Sequence, residues 1–580
     1  MKSRYDHLYL LAFLLAALLR FIELGALPLT DTEANWALQA LSLAQGEKVL
    51  LSGQAGYIAF TSFLFYTLES TNFLARFVPA FAGSFIVFLP YFIHKSPHPN
   101  LPPKKEGRVL SLFGGELKER TAITAAFLLA IAPGLVALSR QANGTMLALT
   151  FGAFAWGMWK NNNPKWAGLF AGVALLGGAS LWMGLLGIGL SWAIGQNLLR
   201  HEDLEEEHSS PNHARNEGAD LKIAAIFMGG TILLFSTRLL LSPNGISAWL
   251  NSLTNYLSGW RFASGVPITH ILFGLFTYYP LALLFGIISI WRALKEKNQH
   301  KIFLALWAAI ALILTLIYPA RQVSDLIWAG IPLWILSAIE IPRYFRKPTY
   351  ERNETLGVFA LTIILLLFSW LNLASASILP GNPEFTSTHQ YLLAASIGLL
   401  ILSLSLIAIG WSVEIATLGG AWGIILGLTI YTLGTAWGAT GLRTPKGIEL
   451  WDNAPRVAQA GLLVDTVGQI STWGSGDAQS LNIVLTGVNS PALNWVLRNH
   501  DLSEVAILDS STTPDLVISP YTEDIGLAAS YRGQDFTWRK SPDWLLMNSW
   551  PKWVILREVP ESYEIIILWV RNDLFFDAQN

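Results

Sequence analysis

Long apolar runs fill the first three quarters of the chain, divided by short polar stretches. An apolar run of about 17 to 25 residues is long enough to cross a bilayer as a helix, and about thirteen candidate runs precede Leu442. They cover 8–25, 73–94, 121–138, 143–159, 166–179, 182–198, 222–241, 269–291, 302–318, 324–341, 356–373, 390–410 and 415–437. The run 55–68 is shorter and reads as an interfacial or re-entrant helix. From Pro445 onward the pattern changes. Short apolar segments (LNIVLTGV, EVAIL, DLVIS, YEIIILWV) alternate with turn residues, and SPALNWVLRNH between two of them has helical spacing. The expected architecture is a polytopic α-helical membrane domain over 1–442 and a small α/β domain over 443–580.

Lys and Arg in short loops mark the cytoplasmic side of a membrane protein. Lys2 and Arg4, the segment 95–120 with Lys104, Lys105 and Arg108, the segment 292–301, and the segment 343–352 all fall on one side of this span list. The pattern predicts a cytoplasmic N-terminus and an extracytoplasmic C-terminal domain in the cell membrane. The basic start MKSRYDHLYLLAFLLAALLRF lacks a small-residue cleavage site and reads as a retained span.

Between the first two spans lies a polar helix, expected over 30–46. Thr30 and Glu33 have capping-box spacing, and Gly46 stops the helix. Asp31 and Glu33 fall in its first turn, at a membrane face and at the depth of lipid phosphates. Helix capping alone accounts for both carboxylates, since the helix dipole favours anions there.

Composition narrows the chemistry. Of 580 residues, 52% are hydrophobic and 13% charged, which fits a membrane protein and not a soluble domain. A net charge of -2 leaves no electrostatic footprint for nucleic acid. With no cysteine, thiol nucleophiles and cysteine metal sites are excluded. The loop 200–220 carries His201, His208 and His213 among carboxylates, but the spacing fits no ligand motif and reads as a solvated loop. No metal and no cofactor is expected. The C-terminal domain holds no nucleophile elbow or P-loop and reads as a structural or acceptor-shaping cap.

Arg20, Arg76, Arg140, Arg238 and Arg321 lie near the outer ends of spans, where the topology rule depletes positive charge. Each could snorkel to the interface. Their convergence on the face bearing Asp31 and Glu33 favours an anionic ligand, and guanidinium's paired donors suit a lipid-linked phosphate.

Three stretches resemble the GT-C glycosyltransferases of the protein O-mannosyltransferase and aminoarabinose-transferase type. They are Asp31 to Gly46, where the family has an acidic pair followed by a helix; NFLARFVPAFAGSFIVFLPY from Asn72; and APGLVALSRQANGTM from Ala132. YPARQVSDLIWAGIPLW from Tyr318 is similar to a later outer loop of the family. The resemblance covers roughly the first 345 residues. Two departures stand out: the family usually has adjacent Asp-Glu where this chain has Thr32-Glu33, and often Asp where it has Thr145. The resemblance implies inverting transfer of a sugar from a polyprenyl-phosphate donor to an acceptor hydroxyl on a glycan, lipid or protein. Asp31 would be the base and Glu33 its acceptor-orienting neighbour or a helix cap, with Arg76, Arg140 and Arg321 on the phosphate. A polyprenyl-phosphate transporter or flippase-associated protein would use the same arginines without needing Asp31. A catalytically silent scaffold would tolerate the Thr32 and Thr145 departures.

Overall fold

A computed structural model of the chain describes residues 6–94, 116–199, 211–237, 244–345, 352–378, 383–443, 447–451, 454–547 and 549–575. Helices run from Asp6 to Ala439 and a six-stranded sheet follows. Among the described residues, seven helices are long and apolar enough to cross a membrane, or up to nine if two bent pairs each count as one span. The chain is an integral membrane protein. The sequence pattern gives about thirteen runs; several correspond to shorter helices, such as Asp6–Phe21, Thr145–Lys160 and Pro164–Leu175. Prolines explain both bent pairs. Pro133 opens Pro133–Ser139 at a 53° bend after Ile131, and Pro280 opens Pro280–Lys295 at an 85° bend after Tyr278, because proline suits a first turn but not a helix interior.

The expected solvated loop over 200–220 is helical in its second half, since the Pro211–Ser236 helix begins eleven residues before the apolar run it carries into the bundle. His201, His208, Lys104, Lys105, Arg108 and Arg238 lie outside the described residues.

The C-terminal sheet has the order β1-β5-β6-β4-β2-β3, with β1 Arg456–Val457, β2 Asn482–Thr486, β3 Asp501–Val505, β4 Leu516–Pro520, β5 Tyr531–Pro542 and β6 Glu561–Arg571. β2 pairs in parallel with β3 and β4; the other pairings are antiparallel. One face is covered by the helices Ala460–Ser475 and Pro491–Val496, and its core continues into the membrane domain. Ile483 and Leu485 of β2, Leu493 and Trp495, and Ala34 and Ala37 of the Asp31–Ala44 helix belong to a single buried cluster. Trp495 Nε1 donates to Asn72 Oδ1 at 2.8 Å, just where the Asn72–Phe85 helix begins. The sheet domain thereby sits as a cap on the first loop helix.

Candidate active site

A cavity of about 880 Å³ separates the helices from this cap. Thr32, Glu33, Trp36, Arg76, Arg140, Asn143, Gln322 and Ser324 line it from the helical side. Arg443, Glu449, Arg456, Lys540 and Glu561 line it from the cap and its linker.

The floor is built on Glu33. Thr30 caps the Asp31–Ala44 helix in a complete capping box, and Gly46, at φ 84°, turns the chain away after it. Glu33 Oε1 accepts from Arg76 Nε at 2.9 Å and Ala142 N at 2.8 Å. Its Oε2 accepts from Arg76 Nη2 at 2.8 Å, Thr30 N at 3.0 Å and Thr30 Oγ1 at 3.2 Å. Burial would raise the Glu33 pKa, but the Arg76 charge and hydrogen bonds, with the two backbone N–H groups, outweigh it and hold the carboxyl below its ordinary value. Glu33 is therefore a poor proton acceptor at neutral pH. Arg76 is equally committed: beyond Glu33 it donates to the carbonyls of Leu24, Leu27 and Pro28, so all five of its N–H donors have protein partners.

Asp31 points the other way. Its Oδ1 accepts from Ser490 Oγ at 2.6 Å and from Ala492 N at 3.0 Å, at the start of the Pro491–Val496 helix. Its Oδ2 accepts from Arg539 Nε of β5 at 2.7 Å. Arg539 also holds Glu564 and the carbonyl of Asn489. Thr32 and Glu33 line the cavity, whereas Asp31 lies in the seam between loop helix and cap.

The arginines at span ends meet helix carbonyls. Arg140 Nη1 donates to the carbonyls of Leu19, Arg20 and Ile22, around the end of the Asp6–Phe21 helix. Arg20 donates to the carbonyls of Leu129 and Ala130, at the end of Glu116–Ile131, and to Ser139 Oγ. Arg321 donates to the carbonyls of Tyr318, closing Gln299–Ile317, and Val266; its neighbour Gln322 reaches the cavity wall. The last carbonyls of a helix have no intrahelical donor, and inside a membrane domain water cannot supply one. Guanidinium, with five donors, answers that need. Arg140 also lines the cavity, and its Nε has no acceptor among the described residues.

The remaining cations come from the cap. Glu449 is neutralised by Arg557, whose Nε lies 3.1 Å from both carboxylate oxygens, and it accepts from Tyr278 Oη at 2.6 Å. Glu33 is neutralised by Arg76. Among the described residues, Arg140, Arg443 and Lys540 have no carboxylate within ion-pair distance, and Glu561 is the cavity carboxylate without a cation at that distance. Burial and the nearby Arg557 charge press the Arg443 pKa below the usual arginine value, a cost that an anion beside it would relieve. Sequence reasoning missed Arg443, Arg456, Lys540 and Glu561 because they are spread over more than a hundred positions. Strand pairing gathers them: Arg456 of β1 faces Lys540 of β5, and Glu561 of β6 faces Pro542.

Two crystal structures of ArnT from Cupriavidus metallidurans share this architecture end to end. One, bound to undecaprenyl phosphate, matches with a TM-score of 0.56 at 12% identity over 99% of each chain; the other, in the apo state, with 0.53 at 13% identity over 98% of each. The chain has an ArnT-like fold. The similarity agrees with the GT-C fold implied by the sequence resemblance, while its mannosyltransferase side rests on sequence alone. No family model matches the chain, and no curated protein matches it.

Proposed function

We propose that this protein is a membrane glycosyltransferase that takes a sugar from a polyprenyl-phosphate donor and transfers it to an acceptor hydroxyl at the extracytoplasmic face. The observation that carries this reading is the positive charge of Arg140, Arg443 and Lys540, without a carboxylate at ion-pair distance among the described residues, around a cavity closed by the cap. The likeness to an ArnT crystallised with undecaprenyl phosphate supports the donor class. In the reaction the acceptor oxygen bonds to sugar C1, the bond from C1 to the phosphate oxygen breaks, and the phosphate leaves with the electron pair. Cations placed where that charge develops lower the barrier, and a carboxylate takes the acceptor proton. Inversion at C1 follows from the sequence resemblance.

Two carboxylates compete for the role of base. Asp31 is the sequence-based choice, and it would have to exchange Arg539, Ser490 and Ala492 for the acceptor. Glu561 lines the cavity without a neutralising partner among the described residues. Glu33, Arg76 and Arg321 then serve as positioning residues, and Arg140 joins Arg443 and Lys540 on the phosphate. Residues 1–442 would form the transferase body and 443–580 the extracytoplasmic cap, with the N-terminus in the cytoplasm.

A second reading has one observation in its favour: Thr32, which has no basic group, lines the cavity where an acidic residue is expected, while Asp31 is held by Arg539. In that reading the protein binds polyprenyl phosphate without chemistry. Reconstituted protein given radiolabelled polyprenyl-phosphate sugars and membrane lipid acceptors separates the two. Release of polyprenyl phosphate together with a labelled product supports the transferase; retention of intact donor supports the binder.

A further inference from the structure

The cap has a second attachment to the membrane domain besides the Asp31 seam. After β5 the chain turns sharply at Asp543, whose Oδ1 accepts the N–H groups of Leu545 at 3.1 Å and Leu546 at 3.3 Å. This turn pushes two leucines outward: Leu545 is 97% exposed and Leu546 62%. A tip held by its own side-chain hydrogen bonds is a built feature, and water gives it no reason to carry two leucines.

The aromatic residues around the tip fix its height. Trp550 stacks on Phe273 with ring centroids 3.7 Å apart at 13°, and Trp544 meets His270 edge-on at 4.8 Å. Both partners belong to the Ile268–Tyr278 helix, half of a bent candidate span, whose Leu272 and Phe276 are exposed. The Trp550–Leu556 helix also packs against Arg352–Ile378, another candidate span. The residues flanking the turn therefore pack on two candidate membrane helices, and its tryptophans match the aromatic belt at a bilayer interface.

We infer that the Asp543–Met547 turn is a membrane anchor: Leu545 and Leu546 insert into the leaflet on the cap's side and hold the cap at the bilayer in addition to the Asp31 seam. The occupant is lipid. The exposed Leu272 and Phe276 on the candidate span that the flanking tryptophans pack against argue for it over a protein partner, because a span's exposed apolar side chains face acyl chains.

The chain has no cysteine, so single labels are unambiguous. Leu545→Cys and Leu546→Cys, made separately in the full chain, are labelled with an environment-sensitive fluorophore and reconstituted in phosphatidylcholine vesicles. Ile507→Cys, 86% exposed just after β3 at the other edge of the sheet, is the aqueous control. The inference predicts blue-shifted emission at 545 and 546, quenched severalfold more by bromine-labelled acyl chains than at 507 and protected from aqueous iodide. Emission and iodide access equal to those at 507 would overturn it. So would emission that depends on protein density in the vesicle and not on brominated lipid, which would mark a contact between copies. The anchor is independent of the transferase reading and stands or falls on these spectra alone.

Discussion

Asp31 and Arg539 lie 508 positions apart and form an ion pair of 2.7 Å across the seam between the first loop helix and the cap. Ser490 Oγ and Ala492 N share the same carboxylate, so Asp31 serves as an external cap for the Pro491–Val496 helix. The sequence resemblance implies that Asp31 is a base. Its hydrogen bonds also suit a latch between loop helix and cap, and the two roles give different mutant behaviour.

If Asp31 is a latch, Asp31→Asn and Arg539→Gln should have similar effects, and the double variant should be little worse than either. The pair is partly exposed, so each change should cost no more than about 1 kcal/mol. Hydrogen exchange at Leu493 and Asn494 should rise in all three variants, because the capped helix frays. If Asp31 is the base, Asp31→Asn should lower transfer by roughly a hundredfold or more with Arg539→Gln close to wild type. Comparing the two variants in one transfer assay decides between them, and Glu561→Gln in the same assay tests the other carboxylate.

The Glu33 and Arg76 pair should behave as a buried pair. Removing one partner leaves an uncompensated charge, so Glu33→Gln or Arg76→Ala should cost about 3–5 kcal/mol and lower the melting temperature visibly. The capping box alone predicts a mild effect for Glu33→Gln, because Gln also closes it. The pH dependence follows from the sign of the shift. Folding depresses the Glu33 pKa below 4.5, so the unfolded state binds more protons. The pair's stabilisation is complete above about pH 4.5 and is lost as pH falls through the lower, folded value. Thermal melts between pH 6 and 3 should show wild type losing stability at the acid end faster than Glu33→Gln.

Arg321 and Arg140 should separate. Arg321→Ala removes donors from the carbonyls of Tyr318 and Val266, so it should lower the melting temperature while polyprenyl-phosphate affinity stays within a few fold. Arg140→Gln should lower both, since Arg140 caps a helix and lines the cavity. A tenfold or greater loss of affinity in Arg321→Ala, with an unchanged melting temperature, would restore Arg321 as a direct phosphate ligand.

The sequence made local features legible and left distant ones hidden. The capping box of Thr30 and Glu33 depends on residues three apart and was readable, as was the glycine turn at Gly46. LNIVLTGV, DLVIS and YEIIILWV contain β2 and most of β4 and β6, because each is a short apolar run in the buried part of the sheet. β5, YRGQDFTWRKSP, has no apolar run and shows no periodicity, yet it is the strand that brings Arg539 to Asp31 and Lys540 to the cavity. The edge strand β3 pairs over Asp501–Val505, ahead of much of the apolar EVAIL, and Ile507 is left exposed. Arginine at a span end was visible as an anomaly. Its resolution was not, because the carbonyls that Arg140 satisfies lie more than a hundred residues away.

In the proposed function the cavity beneath the cap holds a lipid-linked phosphate by charge. Native mass spectrometry of the purified protein titrated with undecaprenyl phosphate and with undecaprenol tests it most directly, on wild type and on Arg443→Gln with Lys540→Gln combined. Charge-assisted hydrogen bonds are worth about 1.5–3 kcal/mol each, so losing two should weaken binding by at least roughly a hundredfold. Undecaprenyl phosphate should bind wild type far more tightly than undecaprenol, and the double variant should lose this preference without losing its melting temperature. Equal binding of the two lipids by wild type, or an unaltered phosphate preference in the double variant, would contradict it.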